Sequence, residues 1–441
     1  MESKATDFNL PHRVDNGLAV WEEFKELTAK YNCISLGEGA PATMPPQFLV
    51  DDLMDAIKEG PANNQYTRSF GNPTLASKVA EVYGKKLCRT IDPLNEVNIG
   101  VGAFYVISDL LMTFVDPAAK EEVLVFEPSY PCYYDHIQYA GGVVKGAPLD
   151  LKDGKWVFNP DTFRKALNSK TKVFIFNNAQ NPTGKIFTKD ELLQIGEILK
   201  EFPNVIVISD EVYDFLTFDG QPFIPFASLG DNFNRTVTVY SGGKLFNATG
   251  WKCGWAIGPQ QLVKPAGVLT YTSIYCTTTP IQVAMARSLD RIYKNDYKDG
   301  KNYVDTVCKE FQDVRDLFAS ELQKIDLPVK TISCESGYFM MLDVSACTDL
   351  IPERFKASHD FEEGSEPAAV SKNRFFMEDG RVPLDLAFCR WIAVTRGVVM
   401  MPCSLFYHKT SAIREDKYAR LAICKGWDTS MKAVQRLLRT I

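Results

Sequence analysis

The sequence predicts an α/β protein built on a mostly parallel sheet, and three observations carry that prediction. Between about residue 95 and 290, short β-rich apolar runs alternate with longer amphipathic ones. Several runs, such as VFIF (173–176) and VIVI (205–208), are apolar without strict alternation, as expected of strands covered on both faces by helices. Helix signals fall between them, as at residues 188–201, where Thr188 can cap the first turn and Glu191 supplies the acid three residues on.

Taken along the chain, WEEFKELTAK (21–30) reads as a helix and the turn-rich LGEGAPATMPP (36–46) follows it. Strands are expected at 123–126, 143–149, 172–176, 204–209, 236–240 and 253–257. A long charged helix is expected over 296–323, ending before the break at Leu327-Pro328. Residues 329–346 and 384–441 carry further strand and helix patterns, and the acid-rich stretch 360–380 reads as a surface insertion. The expected organisation is a large domain over 51–310 and a small α+β domain over 311–441, interrupted by an insertion near 350–380. Residues 1–50 would join the small domain and supply a lid.

Composition narrows the function classes. Of the 441 residues 45% are hydrophobic and 24% charged, the balance of a globular protein, and the net charge of −6 argues against an electrostatic nucleic-acid binder. No apolar run approaches the ~20 residues that cross a bilayer, because Ser108 and Asp109 interrupt the best candidate, 101–114. The first residues lack an apolar core and carry Glu2, Asp7 and Asp15, so a cytoplasmic location is expected. Eleven cysteines without C-x-x-C spacing and four dispersed histidines give no reason to expect a disulfide framework or a metal site. Gly100 and Gly102 lack the third glycine of a dinucleotide fingerprint, since Tyr105 stands in its place.

Open parallel sheets bind ligands at the carboxyl ends of their strands. Polar residues directly after the apolar runs are Tyr130 in EPSY, Asn181 in NPTG, Asp210 and Tyr213 in DEVY, and Lys244 in SGGK. Taken singly each has a plain reading: NPTG is a turn, Asp210 a helix cap, the tyrosines core aromatics, and Lys244 and Lys252 surface lysines. Jointly they suit pyridoxal 5′-phosphate (PLP), which needs a lysine amine for covalent attachment and a buried carboxylate at its ring nitrogen. Lys244 and Asp210 fill those needs, with Asn181 and Tyr213 for the phenolic oxygen. Ser241, Lys252 and the amides of Gly102, Ala103 and Phe104 could cradle the phosphate.

These blocks resemble the class I/II aminotransferases of PLP fold type I. With Trp21, LGEGAP (36–41), NNQYTRSFGNP (63–73), IDPLNEVNIGVGAF (91–104), EPSYPCY (127–133), SGGKLFNATGWKCGW (241–255), SGYF (336–339) and YARLAICK (418–425), the chain is similar to the group containing kynurenine aminotransferase and glutamine transaminase K, also known as cysteine-S-conjugate β-lyases. The resemblance implies that Lys244 is the attachment and proton-transfer residue, Asp210 and Tyr213 tune the ring, and Tyr130 stacks on it. It implies that Arg420 clamps the substrate carboxylate, and that Gly39, Trp21, Asn181, Phe104, Tyr275 and Cys276 lie near substrate. Tyr66 would reach the phosphate of a neighbouring subunit, which implies a homodimer. Departures from the group's pattern are Phe104 for tyrosine, Cys276 for histidine, Ser336 for glycine and Ala179 for proline. The reactions left open are amino transfer from a neutral or aromatic amino acid such as kynurenine, glutamine or phenylalanine to a 2-oxo acid, and β-elimination; a non-catalytic binding module is the remaining alternative.

Overall fold

The computed structural model describes residues 19–356 and 376–439. The chain lays down β1 (Ile34–Ser35), β2 (Val97–Gly100), β3 (Glu122–Glu127), β4 (Val143–Pro148), the hairpin β5 (Asp150–Lys152) and β6 (Lys155–Val157), then β7 (Thr171–Asn177), β8 (Ile206–Asp210), β9 (Thr236–Ser241) and β10 (Gly254–Ile257). Its last third adds β11 (Lys330–Thr331), β12 (Phe339–Asp343), β13 (Val398–Val399), β14 (Met401–Pro402) and β15 (Tyr418–Ala422).

Seven strands form the main sheet in the order β2-β10-β9-β8-β7-β3-β4. All neighbours pair in parallel except β10, which runs antiparallel to both β2 and β9. Residues of β3, β7, β8, β9 and β10 are almost all buried, which accounts for their uninterrupted apolar sequence. Phe126, Phe163, Phe174, Phe176 and Phe187 pack ring against ring over the β3–β7 region. Each such buried ring contributes roughly 1.5–3 kcal/mol relative to exposure.

Every expected strand is present within two residues of its expected limits, and the helix Lys189–Lys200 carries the full Thr188/Glu191 capping box. β1 and the hairpin β5–β6 are additional to the expected strands, and two further elements differ. β2 was not expected as a strand; its four residues VNIG are too few to show a period, and burial between β10 and the helix Pro73–Lys86 decides their conformation. The long helix begins at Tyr303 rather than near 296, because the Asn302 side chain caps it by accepting from Asp305 N at 2.8 Å. Most of the insertion near 350–380 lies outside the described residues.

A second sheet, β11-β12-β15-β14, is antiparallel throughout. The N-terminal segment is tied to it: β1 pairs in parallel with β13, and Leu36 O accepts from Ala422 N at 2.7 Å. The sheets meet where Phe406 O accepts from Ser129 N at 2.6 Å, just after β3.

β10 sets the position of the helix Gly102–Phe114 by close backbone approach. A Cβ on Gly254 would lie 2.6 Å from Ala103 N and 2.9 Å from both Gly102 C and Tyr240 O. Gly254→Ala is therefore expected to lower the urea midpoint of the protein by the equivalent of about 1–3 kcal/mol, the usual range for overpacking. An unchanged midpoint would show that the helix start shifts freely.

Candidate active site

The parallel strands end together at one rim, and β10, being antiparallel, begins there. That geometry brings residues at the ends of five strands and at the start of a sixth to a single cleft of ≈ 410 Å³. Its walls include Gly102, Ala103 and Phe104 beyond β2, Tyr130 and Tyr133 beyond β3, and Asn177 and Asn181 at and beyond β7. Asp210 and Tyr213 come from the end of β8, Ser241 and Lys244 from β9, and Lys252 precedes β10.

Asp210 is the last residue of β8 and is buried. The Tyr133 hydroxyl donates to its Oδ2, and Oδ1 accepts from Val212 N at 3.3 Å. Burial raises its pKa to about 6, against the lowering effect of the Tyr133 bond and of the Lys244 charge. Asn177 braces this corner from β7. Its Nδ2 donates to Asp210 O at 2.9 Å and its Oδ1 accepts from Asn181 N at 2.7 Å, fixing the two residues together.

Lys244 stands in the short helix Gly242–Leu245, capped by Ser241, whose hydroxyl accepts from Lys244 N at 3.2 Å. Its Nζ donates to Gly39 O at 3.0 Å and lies 4.5 Å from the centre of the Tyr338 ring. Desolvation lowers its pKa to about 8, so a substantial neutral fraction exists near physiological pH. The Tyr338 hydroxyl donates to Lys244 O at 2.9 Å, holding the backbone of the turn.

At the other end, Gly102 opens the helix Gly102–Phe114 at φ 77°, and a Cβ there would sit 3.4 Å from Lys252 Nζ. A lysine head thus lies over a helix N-terminus, and both features favour an anion. Lys252 Nζ also lies 5.6 Å from the centre of the Phe104 ring.

Arg420 enters from the second sheet, central in β15 and buried. Its guanidinium is sandwiched between the rings of Phe339, at 3.7 Å, and Phe406, at 4.5 Å. It donates to neutral acceptors, Asn181 Oδ1 at 2.9 Å and Gly37 O at 2.6 Å, while the buried Nε has no partner among the described residues. Burial lowers its pKa to about 10. A guanidinium bonded only to neutral oxygens, with its Nε–H unpaired among the described residues, is suited to an incoming carboxylate.

Residues 31–426 match the family Aminotransferase class I and II. The chain belongs to the class I and II aminotransferases. This aminotransferase is 32% identical to kynurenine--oxoglutarate transaminase 3 of Rattus norvegicus, over 96% of its own length and 87% of the relative's. It is 30% identical to kynurenine--oxoglutarate transaminase 1 of Homo sapiens, over 95% and 94%. Among solved structures, Bna3p of Saccharomyces cerevisiae is 29% identical with a TM-score of 0.81, covering 96% of each chain. N-succinyldiaminopimelate aminotransferase of Mycobacterium tuberculosis is 27% identical with a TM-score of 0.80, over 97% and 98%. The fold is therefore that of PLP fold type I aminotransferases, a family that uses PLP.

The aminotransferase's cleft gathers most of the residues singled out in the sequence: Trp21, Gly39, Gly102, Ala103, Phe104, Tyr130, Asn181, Asp210, Tyr213, Ser241, Lys244, Lys252, Phe339 and Arg420. Tyr66, Tyr275 and Cys276 do not line the cleft of their own chain. Tyr66 and Tyr275 instead meet edge-on, ring centres 4.8 Å apart. Sequence reasoning missed Tyr133, Asn177 and Tyr338. Tyr133 and Asn177 carry the same signal that exposed the others, a polar group at or just beyond a strand end. Tyr338 lies in the SGYF block, but with its partner 94 positions away nothing local pointed to its role. Among the described residues no helix is long and apolar enough to cross a membrane, and no group of three His, Cys, Asp or Glu could hold a metal ion.

The lowered value at Lys244 has a direct readout. Burial penalises the ammonium, so the neutral amine emerges at lower pH than for a solvated lysine. Acetylation of Lys244 in cofactor-free protein, followed by peptide mass spectrometry, is expected to rise with a midpoint near pH 8, against about 10.4 for a solvated side chain. A midpoint near 10 would contradict the desolvated environment.

Proposed function

We propose that this enzyme binds PLP in the cleft and transfers the amino group of a neutral or aromatic amino acid, of the kynurenine, glutamine or phenylalanine type, to a 2-oxo acid. The observation that carries this reading is the meeting, in one cleft, of a half-buried, partly neutral lysine amine, a buried carboxylate and a buried arginine bonded to neutral acceptors. Those groups fit PLP and an α-amino acid: an amine for the aldehyde, an acid for the ring nitrogen, a cationic cradle for the phosphate and a guanidinium for the α-carboxylate.

In this reading Lys252, Ser241 and the amides of Gly102 and Ala103 hold the phosphate, Asn181 and Tyr213 hold the phenolic oxygen, and Tyr130 covers the ring. Asp210, kept in place by Tyr133 and Asn177, holds the ring nitrogen. When bound, PLP supplies an aldehyde for the amino nitrogen and an electron-poor ring that stabilises negative charge at the substrate Cα. Arg420 grips the α-carboxylate and so orients the Cα–H bond. Lys244 Nζ, neutral in part at physiological pH, takes the Cα proton; a fully charged lysine could not. Trp21, Phe104, Tyr130 and Phe339 give the substrate side chain apolar, aromatic walls, which favours neutral and aromatic donors.

Mixing the PLP-loaded enzyme with single amino acids and following the cofactor absorbance tests this. Phenylalanine, glutamine or kynurenine are expected to convert the cofactor to its amine form faster than aspartate does. Lys244→Ala should lower turnover at least ~1,000-fold, the upper part of the range for losing a proton-transfer group. Faster conversion by aspartate, or undiminished turnover in the variant, would refute the reading.

The same reading makes the enzyme a homodimer. Tyr66 is 79% exposed and packs on Tyr275 outside its own cleft, which supports a role toward another chain. Sedimentation is expected to give a mass near 99 kDa, twice the 49.5 kDa of one chain; a fully active monomer would overturn it.

A further inference from the structure

The inner cations of the cleft each have a task in the reading above, but the rim carries charge that the reading does not use. Trp21 and Lys25 are four residues apart on the helix Ala19–Lys30, so they share a face, and both line the cleft. Facing them is Glu38, whose backbone neighbours are tied to the two groups nearest substrate: Gly37 O accepts from Arg420 and Gly39 O from Lys244. The Glu38 backbone is therefore held between the carboxylate clamp and the reactive amine, and Glu38 lines the same cleft.

Lys25 Nζ lies 4.0 Å from Glu38 Oε1, and the two side chains are 70% and 46% exposed. An ion pair that long and that wet is worth little and separates readily. Both residues also border an adjoining recess of ≈ 190 Å³, shared with Phe24, Thr28, Val399 and Met401. That recess gives a displaced head group somewhere to go.

We propose that Lys25 and Glu38 act as a charge-reading couple for the far end of the substrate. Lys25 takes the distal carboxylate of a dicarboxylic 2-oxo acid, while Glu38 is its resting partner and opposes that same carboxylate. The inference rests on the transamination reading and names the acceptor class for it. Four cations line the cleft among the described residues: Lys25, Lys244, Lys252 and Arg420. With Lys244 assigned to proton transfer, Lys252 to phosphate and Arg420 to the α-carboxylate, Lys25 is the one left for a second carboxylate. A neutral or aromatic side chain makes no such demand and lies against Trp21 and Phe339 with the pair closed. One cleft thereby serves both halves of a ping-pong exchange.

The test uses the PLP-loaded enzyme with one amino donor and two acceptors, 2-oxoglutarate and phenylpyruvate, and reads the ratio of their kcat/KM values. Lys25→Met is expected to lower that ratio about tenfold and Glu38→Gln to raise it threefold or more, while Lys25→Arg restores it toward the parent value. Added salt should depress the ratio in the parent enzyme, since the contact is exposed. Ratios within twofold of the parent in both variants, or shifts in the same direction, would overturn the proposal. Absence of transamination by the parent enzyme with any donor and acceptor would instead overturn the functional reading beneath it, so the two failures are distinguishable.

Discussion

Desolvation of opposite charges at the ends of neighbouring strands is the constraint on which the rest of the structure depends. β8 and β9 run in parallel register, Asp210 beside Val239, so the acid that ends one strand and the lysine in the turn after the other meet at the same rim. Each is displaced by desolvation in the direction that disfavours its charge: Asp210 upward to about 6 and Lys244 downward to about 8. At neutral pH a raised carboxylate and a lowered ammonium both subtract from stability, because the unfolded chain would hold either ion more easily. The fold retains them through local support. Tyr133, Val212 and Asn177 fix the acid, while Ser241, Gly39 and Tyr338 fix the lysine and its turn.

The cleft also has an imbalance of sign. Lys244, Lys252 and Arg420 face a single deep carboxylate, Asp210, and a helix N-terminus adds to the positive side. Three inner cations at separate corners select a ligand with spaced anionic groups rather than a single compact ion. A phosphate at one corner and a carboxylate at another match that spacing of charge, and the aromatic faces of Phe339 and Phe406 hold the arginine rigid between them.

Legibility in the sequence followed the range of the interactions involved. The capping box at Thr188 and Glu191 is local and could be read directly, as could the strands whose burial on both faces leaves unbroken apolar runs. β2 escaped because four residues cannot display a period, and the long helix was started too early because charge composition, rather than the Asn302 cap, guided the boundary. At the site, residues after strand ends stood out because topology alone places them at the rim. Family resemblance, not spacing, brought Arg420 and Gly39 into the reading, since their partners lie more than 200 positions away. Tyr338 and Glu38 lay inside the resembling blocks SGYF and LGEGAP without being singled out, and Lys25 lay in a stretch read only as a helix.

That division of range bears on specificity. The groups suited to the cofactor lie within the main sheet's strand ends, between Gly102 and Lys252, where β-register fixes their mutual positions to within the tolerance of a hydrogen bond. Beside Phe104 and Tyr130, the groups suited to the substrate side chain come from residues 21–39 and from β12 and β15, which reach the cleft through β1, β13 and a few backbone bonds such as that between Leu36 and Ala422. Substitutions in that second set alter the walls of the cleft without disturbing the register that brings Asp210 and Lys244 to one rim. Relatives about 30% identical can therefore share the strand-end chemistry while differing at the rim, so the walls at Trp21, Lys25, Glu38 and Phe339 bear on the substrate more than Asp210 and Lys244 do.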